Sequence, residues 1–450
     1  MRILSVALAI LLGLALLLHP RSDTGPRAVP RREREASIVL RGRDGAKPRV
    51  VVGGLYAGPN GEASEAAAVL AATFLADVRF EGVFDLLPAE LPGAALPARA
   101  GDPALEKWQG TGADGLLVTA LREEGAELLV EARLYELVGG QLAFARAVRG
   151  PTSHVRAVAH VLAHELLEQQ AGLRSVAMTR LAFVSDRAGS RREPTGYMRR
   201  VKEIYISDYD GAAQRRVTTD GDLVLTPAWS PDGSTIAYTA FRSGFQQILI
   251  VRPDDARPRP AAAGYGKNWL PAWSPDGQRL AFTANRDGNA EIYVMRADGS
   301  EPARLTRNWH IDTSPAWSPD GRQIAFTSDR TGSPQIWIMD ADGGNQRALT
   351  TERYCDRPTW SPSPFNEIAY VSRTKTGFDI KVIDVGTGVS RQLTFGEGFN
   401  ESPAWAPSGR HLAFCSSRSG TQQIWTMTRL GEDLRQVTRV GANSMPAWSR

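Results

Sequence analysis

One motif, repeated along the second half of the chain, limits the fold more than any other feature. The segment Pro227-Ala228-Trp229-Ser230-Pro231-Asp232-Gly233 returns as residues 271–277 and 315–321, and in looser form at 358–362, 403–409 and 446–449. Its tryptophans stand at 229, 273, 317, 360, 405 and 448, a period of 43 to 45 residues. Further marks follow in each period: Leu/Ile-Ala-aromatic (Ile236-Ala237-Tyr238), an apolar-aromatic pair (Ile292-Tyr293), then Leu/Val-Thr (Leu305-Thr306). Four short apolar segments separated by Pro/Gly/Asp turns are what a four-stranded propeller blade requires. Helical solenoids of similar period need longer segments at 3.6-residue spacing. Ser-Pro-Asp-Gly reads as a tight turn, with proline presetting φ, aspartate bonding to nearby backbone and glycine taking positive φ.

Counting the marks sets the number of blades. The Leu/Ile-Ala-aromatic mark occurs once more upstream, at Leu181-Ala182-Phe183, in a unit with no Pro-Ala-Trp of its own. The final Pro446-Ala447-Trp448-Ser449 has no such mark after it. Residues 446–449 are therefore expected to supply the missing inner strand of the first blade. That closure removes the exposed sheet edges of a linear array. The fold class is a small α/β N-terminal domain followed by an all-β six-bladed β-propeller.

Upstream, the pattern changes. Arg49–Leu55 reads as a strand, Glu62–Arg79 as an alanine-rich helix and Val83–Leu87 as a strand. A Pro/Ala-rich stretch leads to a short helix near Trp108, three strands near 115–121, 126–137 and 141–148, and a helix over 152–171. Arg2 and the unbroken apolar run Ile3–Leu18 resemble a secretory signal, being shorter than the roughly 20 residues of a full span. Arginines at 21, 27, 31, 32 and 34 lie beyond it, and an uncleaved anchor is the other reading. The expected organisation is a signal or anchor over 1–20, a basic tether over 21–36, the α/β domain over 37–174 and the propeller over 176–450.

The net charge of +4 is spread along the chain, with no basic-aromatic cluster of the nucleic-acid kind. Two cysteines, Cys355 and Cys415, are too few for a disulfide scaffold. Two unpaired thiols are the expected state, with a bridge between them as the alternative.

Together these marks resemble the TolB family, over most of the chain. Glu203-Ile204-Tyr205-Ile206-Ser207-Asp208-Tyr209-Asp210-Gly211 is similar to the segment that family carries in its first blade, and the chain ends close to Pro-Ala-Trp-Ser as the family's does. The resemblance implies a monomeric periplasmic component of the Tol–Pal envelope system, peripheral to the membranes and without catalytic activity. It implies a propeller that binds the lipoprotein Pal and an N-terminal region that engages TolA, supporting outer-membrane integrity and constriction at cell division. The chain departs from the family at Arg257-Pro258-Arg259-Pro260, where the last strand of the second blade is missing from the pattern. It departs again in the Trp motifs at 360 and 405, which lose all or part of the Asp-Gly turn, and in its long basic segment after the apolar run.

The same repeat also occurs in propellers attached to serine peptidases, so an accessory module of an exported hydrolase is the alternative reading. Those enzymes need a Gly-x-Ser-x-Gly elbow, which this sequence lacks. His160 and His164 have neither of the metalloprotease orders and read as polar positions on an amphipathic helix. Asp232, Asp276 and Asp320 read as turn residues, each within its own blade. No catalytic residue, metal ligand or cofactor is assigned.

A binding face is expected where each outermost strand leads to the next inner strand, just ahead of each Pro-Ala-Trp. Those positions hold Asn268, Trp269 and Leu270; Asp312, Thr313 and Ser314; Asp356 and Arg357; Asn400, Glu401 and Ser402; Asn443, Ser444 and Met445. Amides and carboxylates around apolar anchors suit a protein surface, and the resemblance implies that Pal binds there. The hairpins after each second strand carry Arg187, Arg242, Arg286, Arg330, Arg373 and Arg418, a candidate basic collar for an acidic partner. Asp312, Asp356 and Glu401 could also bring three carboxylates to one Ca²⁺ in the channel.

Overall fold

The computed structural model describes residues 25–28, 38–57, 64–88, 102–172, 174–192, 198–242, 244–255, 257–261 and 266–449. The apolar run and most of the basic tether lie outside these residues, as does the expected signal or anchor. Among the described residues no helix is long and apolar enough to cross a membrane. Contacts divide the chain into two compact units, Met1–Arg79 with Phe84–Leu166, and Phe80–Val83 with Leu167–Arg450.

The first unit is built on a six-stranded sheet, in the order Arg27–Ala28, Leu142–Pro151, Glu127–Glu136, Gly115–Glu124, Arg49–Ala57, Asp85–Pro88. Asp85–Pro88 and Gly115–Glu124 run parallel to Arg49–Ala57, and the long strands beyond pair antiparallel. The 17-residue helices Glu65–Glu81 and Val155–Ala171 accompany this sheet in sequence. Trp108, Leu116, Tyr135 and Leu137 form part of its core.

The second unit is six four-stranded antiparallel sheets. Blades 2 to 6 begin at the inner strands Val224–Trp229, Asn268–Trp273, Asp312–Trp317, Cys355–Trp360 and Asn400–Trp405. The inner strand of blade 1 is Asn443–Trp448, antiparallel to Arg180–Ser185, with Trp448 opposite Leu181 and Ala447 opposite Ala182. Within each blade the Leu/Ile-Ala-aromatic mark is the second strand, and its side chains are fully buried between neighbouring blades. The blade 2 pattern without a last strand is corrected by the structure. Arg259–Pro260 pairs with Leu249 and Ile250, and the Ala261 amide extends the edge to the Ile248 carbonyl at 2.9 Å. Proline lacks an N–H, and the flanking residues carry this short edge.

Two of the repeated marks prove to be latches. The indole Nε1 groups of Trp273, Trp317 and Trp405 donate across the blade boundary to the carbonyls of Ala228, Ala272 and Thr359, at 3.1–3.2 Å. The Leu/Val-Thr threonine closes the outer strand in every blade but the second. Thr306 Oγ1 accepts from the Ile292 amide at 2.9 Å and donates to the buried Glu291 carboxylate at 2.5 Å. Thr218, Thr350, Thr394 and Thr438 repeat this with Glu203, Gln335, Asp379 and Gln423.

Trp448 closes the ring differently, donating to Thr179 Oγ1 at 2.7 Å. Replacing it with alanine removes a buried indole from the seam, which costs about 3–5 kcal/mol. Thermal denaturation followed by circular dichroism should show a fall in Tm of roughly 10 °C. Truncation after Met445 should destabilise blade 1 further.

Candidate functional site

The inner strands share one distortion. Thr226, Leu270, Ser314, Arg357, Ser402 and Met445 have φ between 49° and 55°, and each immediately precedes a proline. Pairing with the second strand slips there in every blade, for instance between Trp269 and Ala272. An L-residue in this region costs roughly 1–2 kcal/mol, and the freed amides are capped. Leu270 N donates to Thr239 Oγ1 at 3.1 Å, Arg357 N to Thr327 Oγ1 at 3.2 Å, and Thr226 N to Met445 Sδ at 3.4 Å. The bulge turns this residue and its proline towards the axis, where the six pairs line a central cavity of about 300 Å³.

Strand alternation puts the connections between blades and the second-to-third-strand hairpins on one face, and hydrogen bonds tie them together. Lys267 N donates to Asn285 Oδ1 at 2.9 Å, Ile311 N to Asp329 Oδ1 at 2.8 Å, and Phe399 N to Ser417 Oγ at 2.9 Å. This is the face expected to bind a partner, but its residues divide into two sets.

Trp269, Thr313, Asp356, Glu401 and Ser444 are half-buried, each one residue ahead of a bulge residue that lines the cavity, and the half-buried Arg357 lines it directly. Asp356 accepts from Thr327 Oγ1 at 2.9 Å, and the Arg357 guanidinium donates to Ser402 Oγ at 2.7 Å. Asn268, Asp312, Asn400 and Asn443 are instead fully buried, so their place on an open rim is corrected. Each is the first residue of its inner strand and points into the blade. Asp312 Oδ2 accepts from Arg330 at 2.5 Å and from Asn308 at 2.8 Å. Asn400 bonds Ser416, Arg418 and Asp379, and Asn443 bonds Gln423. Asp312 is thus engaged inside blade 4, away from a shared Ca²⁺ site with Asp356 and Glu401. Among the described residues no group of three or more His, Cys, Asp or Glu is placed to hold a metal ion.

The basic collar is corrected in the same way at five of its six positions, while Arg373 is exposed. Arg286 stacks over Phe282 and Tyr293, Arg330 over Phe326 and Trp337, and Arg418 over Phe414 and Trp425, with guanidinium carbons 5.0–5.9 Å from the ring centroids. Arg187 does the same over Tyr205, and Arg242 is bound to Asp220. These arginines brace the blades. A guanidinium over an aromatic face and beside a buried polar group is a structural cation, not a free one.

Other candidates settle into structural roles. Cys355 and Cys415 are free and buried, and desolvation pushes both thiols up to about 12. Hydrogen bonds from Ser230, Ser274 and Ser318 hold Asp232, Asp276 and Asp320 below the ordinary carboxylate range, as turn residues. His160 Nδ1 lies 2.8 Å from Asp77 Oδ2 in a buried pair of the first unit.

Two features went unread in the sequence. Trp309 is 98% exposed, on a connection held by Asn308 N to Glu291 Oε1 at 2.9 Å and Asn289 Nδ2 to the Asn308 carbonyl at 3.0 Å. Blade 1 carries an added hairpin, Ser190–Arg192 with Met198–Arg200, whose register sets Arg191 opposite Arg199. The doublets Arg191-Arg192 and Arg199-Arg200 were its signal in the sequence.

A family model described as the TolB beta propeller domain matches residues 167–450. The chain belongs to the TolB family. The Tol-Pal system protein TolB of Anaeromyxobacter dehalogenans (strain 2CP-C) is 34% identical over 234 residues, 50% of each chain. That of Jannaschia sp. is 32% identical over 210 residues, 45% of this chain and 44% of that one. The chain spans about half the length of the curated relatives it matches. The crystal structure of TolB from Acinetobacter baumannii shares the fold, with a TM-score of 0.74 over 94% of this chain and 99% of that one at 24% identity.

The buried ion pair offers a check on this division of the face. Asp312→Ala leaves Arg330 uncompensated inside blade 4 and should cost about 3–5 kcal/mol, read as a lower urea midpoint. Glu401→Ala at the mouth should shift that midpoint by less than about 1 kcal/mol.

Proposed function

We propose that this chain is a periplasmic protein-binding scaffold of the Tol–Pal envelope system, not an enzyme. In this reading the propeller face binds Pal, the N-terminal region engages TolA, and the pair of contacts supports outer-membrane integrity and constriction during division. The observation that carries the reading is the mouth of the central cavity. Arg357, Thr226, Ser314 and Ser402 line it with a ring of six prolines on a backbone preset by six bulges, and Trp269, Asp356 and Glu401 each stand one residue ahead of a bulge. A small number of fixed polar groups around an apolar anchor in a concavity is how a protein recognises a short segment of a partner. Family membership supports the same assignment, since the matched relatives carry the name Tol-Pal system protein TolB.

The alternative, a module of an exported hydrolase, lacks the Gly-x-Ser-x-Gly elbow in its sequence, and Ser153 with His154 at 3.1 Å is an exposed pair of chain neighbours. The buried carboxylates Glu291, Asp312 and Asp379 are occupied by threonine, arginine and backbone donors.

Purified Pal titrated into the full-length protein tests the reading calorimetrically. Trp269→Ala and Glu401→Ala should each weaken binding about tenfold or more, with unchanged thermal melts. Removal of residues ahead of Ile38 should abolish capture of TolA and leave Pal binding intact. A parent protein that ignores purified Pal would overturn the assignment.

A further inference from the structure

The rim of the propeller face has a chemistry that the cavity does not use. All four exposed Phe and Trp side chains among the described residues lie on it: Phe245, Trp309, Phe395 and Phe399. Each stands on a hairpin or an inter-blade connection. They do not merge into one patch with a shared concavity: Phe245 belongs to blade 2, Trp309 to the connection entering blade 4, and Phe395 and Phe399 to that entering blade 6. The rim also carries exposed Arg191, Lys267, Arg307, Arg353, Lys375 and Arg439, on separate hairpins and connections, for which the described residues provide no ion pair; of these Arg307 shares its connection with an aromatic tip. Arg307 sits two residues before Trp309, and Arg439 directly precedes the exposed Val440.

Carboxylates on this face are largely matched. Asp186 pairs with Arg200, Asp220 with Arg242, and Glu397 with Arg418 at 3.1 Å. The opposite face ends in aspartates. Its turns place Asp232, Asp276 and Asp320 at their tips, joined by Asp298 and Asp384, all held below the ordinary carboxylate range by hydrogen bonds. The propeller therefore presents cations with aromatic tips at one end, and at the other ionised carboxylates alongside exposed Arg180, Arg252 and Arg347.

We propose that this rim docks the propeller onto an anionic phospholipid surface. Indole and phenyl groups at the level of lipid headgroups bury their apolar bodies independently of one another, so separated tips suffice. A protein partner would require them to converge in packed pockets. Basic side chains beside them gain from a negative leaflet, each by a similar increment, and the interaction is screened by salt. One structural feature fits this use. Trp309 is held out in water by a connection whose backbone is fixed at Asn308, so no ordering cost remains on insertion.

The docking goes beyond the reading of the cavity and is tested without Pal. Full-length protein is sedimented with vesicles containing phosphatidylglycerol and with vesicles of phosphatidylcholine alone, and all variants share the same N-terminus. Binding should favour the anionic vesicles and weaken sharply between about 0.1 and 0.5 M salt. Arg307→Ala with Arg439→Ala should lower the partition coefficient about twenty-fivefold, fivefold for each cation removed. Tryptophan emission should shift to the blue on adding anionic vesicles, and Trp309→Phe should remove that shift. Thermal melts matching the parent show that the variants fold. Equal partitioning of parent and rim variants would overturn the proposal. So would variants that lose Pal while binding vesicles normally, because the rim would then be a protein surface.

Discussion

All six inner strands bulge at the residue before their proline, and the ring closes around these bulges. The residue in the left-handed region shortens and turns the strand, while the proline after it has no N–H to leave unsatisfied. Thr226 is a β-branched residue at φ 49°, where such residues rarely sit. Its hydroxyl meets Thr239 Oγ1 at 2.8 Å, so neighbouring blades share the means of holding the strain. The same distortion that lets the ring close also aims the side chains of Leu270, Ser314, Arg357, Ser402 and Met445 into the cavity. Closure and site are one piece of geometry.

Above the bulge the blades fill their upper ends in two ways, and the residues change together. Blades 1, 3, 4 and 6 begin the inner strand with Asn443, Asn268, Asp312 or Asn400, carry Phe in the second strand, and lay an arginine over it. Blades 2 and 5 begin with the apolar Val224 and Cys355 and carry tyrosine. Their phenols, Tyr238 and Tyr370, donate to Asp220 and Glu352, both at 2.9 Å. The cation is Arg242 in one case and Lys381 in the other. In blades 3, 4 and 6 the polar first residue takes the arginine as its partner, and in blade 1 Asn443 bonds Gln423 instead. An apolar first residue offers no such partner, and a phenol with a carboxylate takes over.

This pairing explains what could and could not be read from sequence. Marks that recur with a fixed period, the Trp, the Ala-aromatic and the Leu-Thr, report backbone geometry that every blade must satisfy. Their count led directly to six blades and to an inner strand drawn from the chain's last residues. Whether Asp312 or Arg330 faces solvent depends on where the inner strand begins. A start at Asp312 rather than at Pro315 sends alternate side chains inward. Without that register, a buried ion pair and an open rim look alike. Trp309 precedes its Pro-Ala-Trp by six residues and is not part of the repeat, since the equivalent connection entering blade 6 has Glu397 at that place.

The titratable groups packed within the blades are set by their surroundings. Burial pushes Asp379 up, yet donors from Gly396 N, Thr374 and Thr394 outweigh it and hold the carboxyl below its ordinary range. Glu352 behaves alike, with Ser372, Lys381 and Tyr370 as donors. The two thiols move the other way, to about 12, where no thiolate forms near neutral pH. Acid–base catalysis wants a group poised near the working pH. Here the carboxylates are spent as permanent acceptors and the thiols as apolar filling. Such a ring offers a partner fixed charges and fixed shape, and those are the terms on which a binding face works.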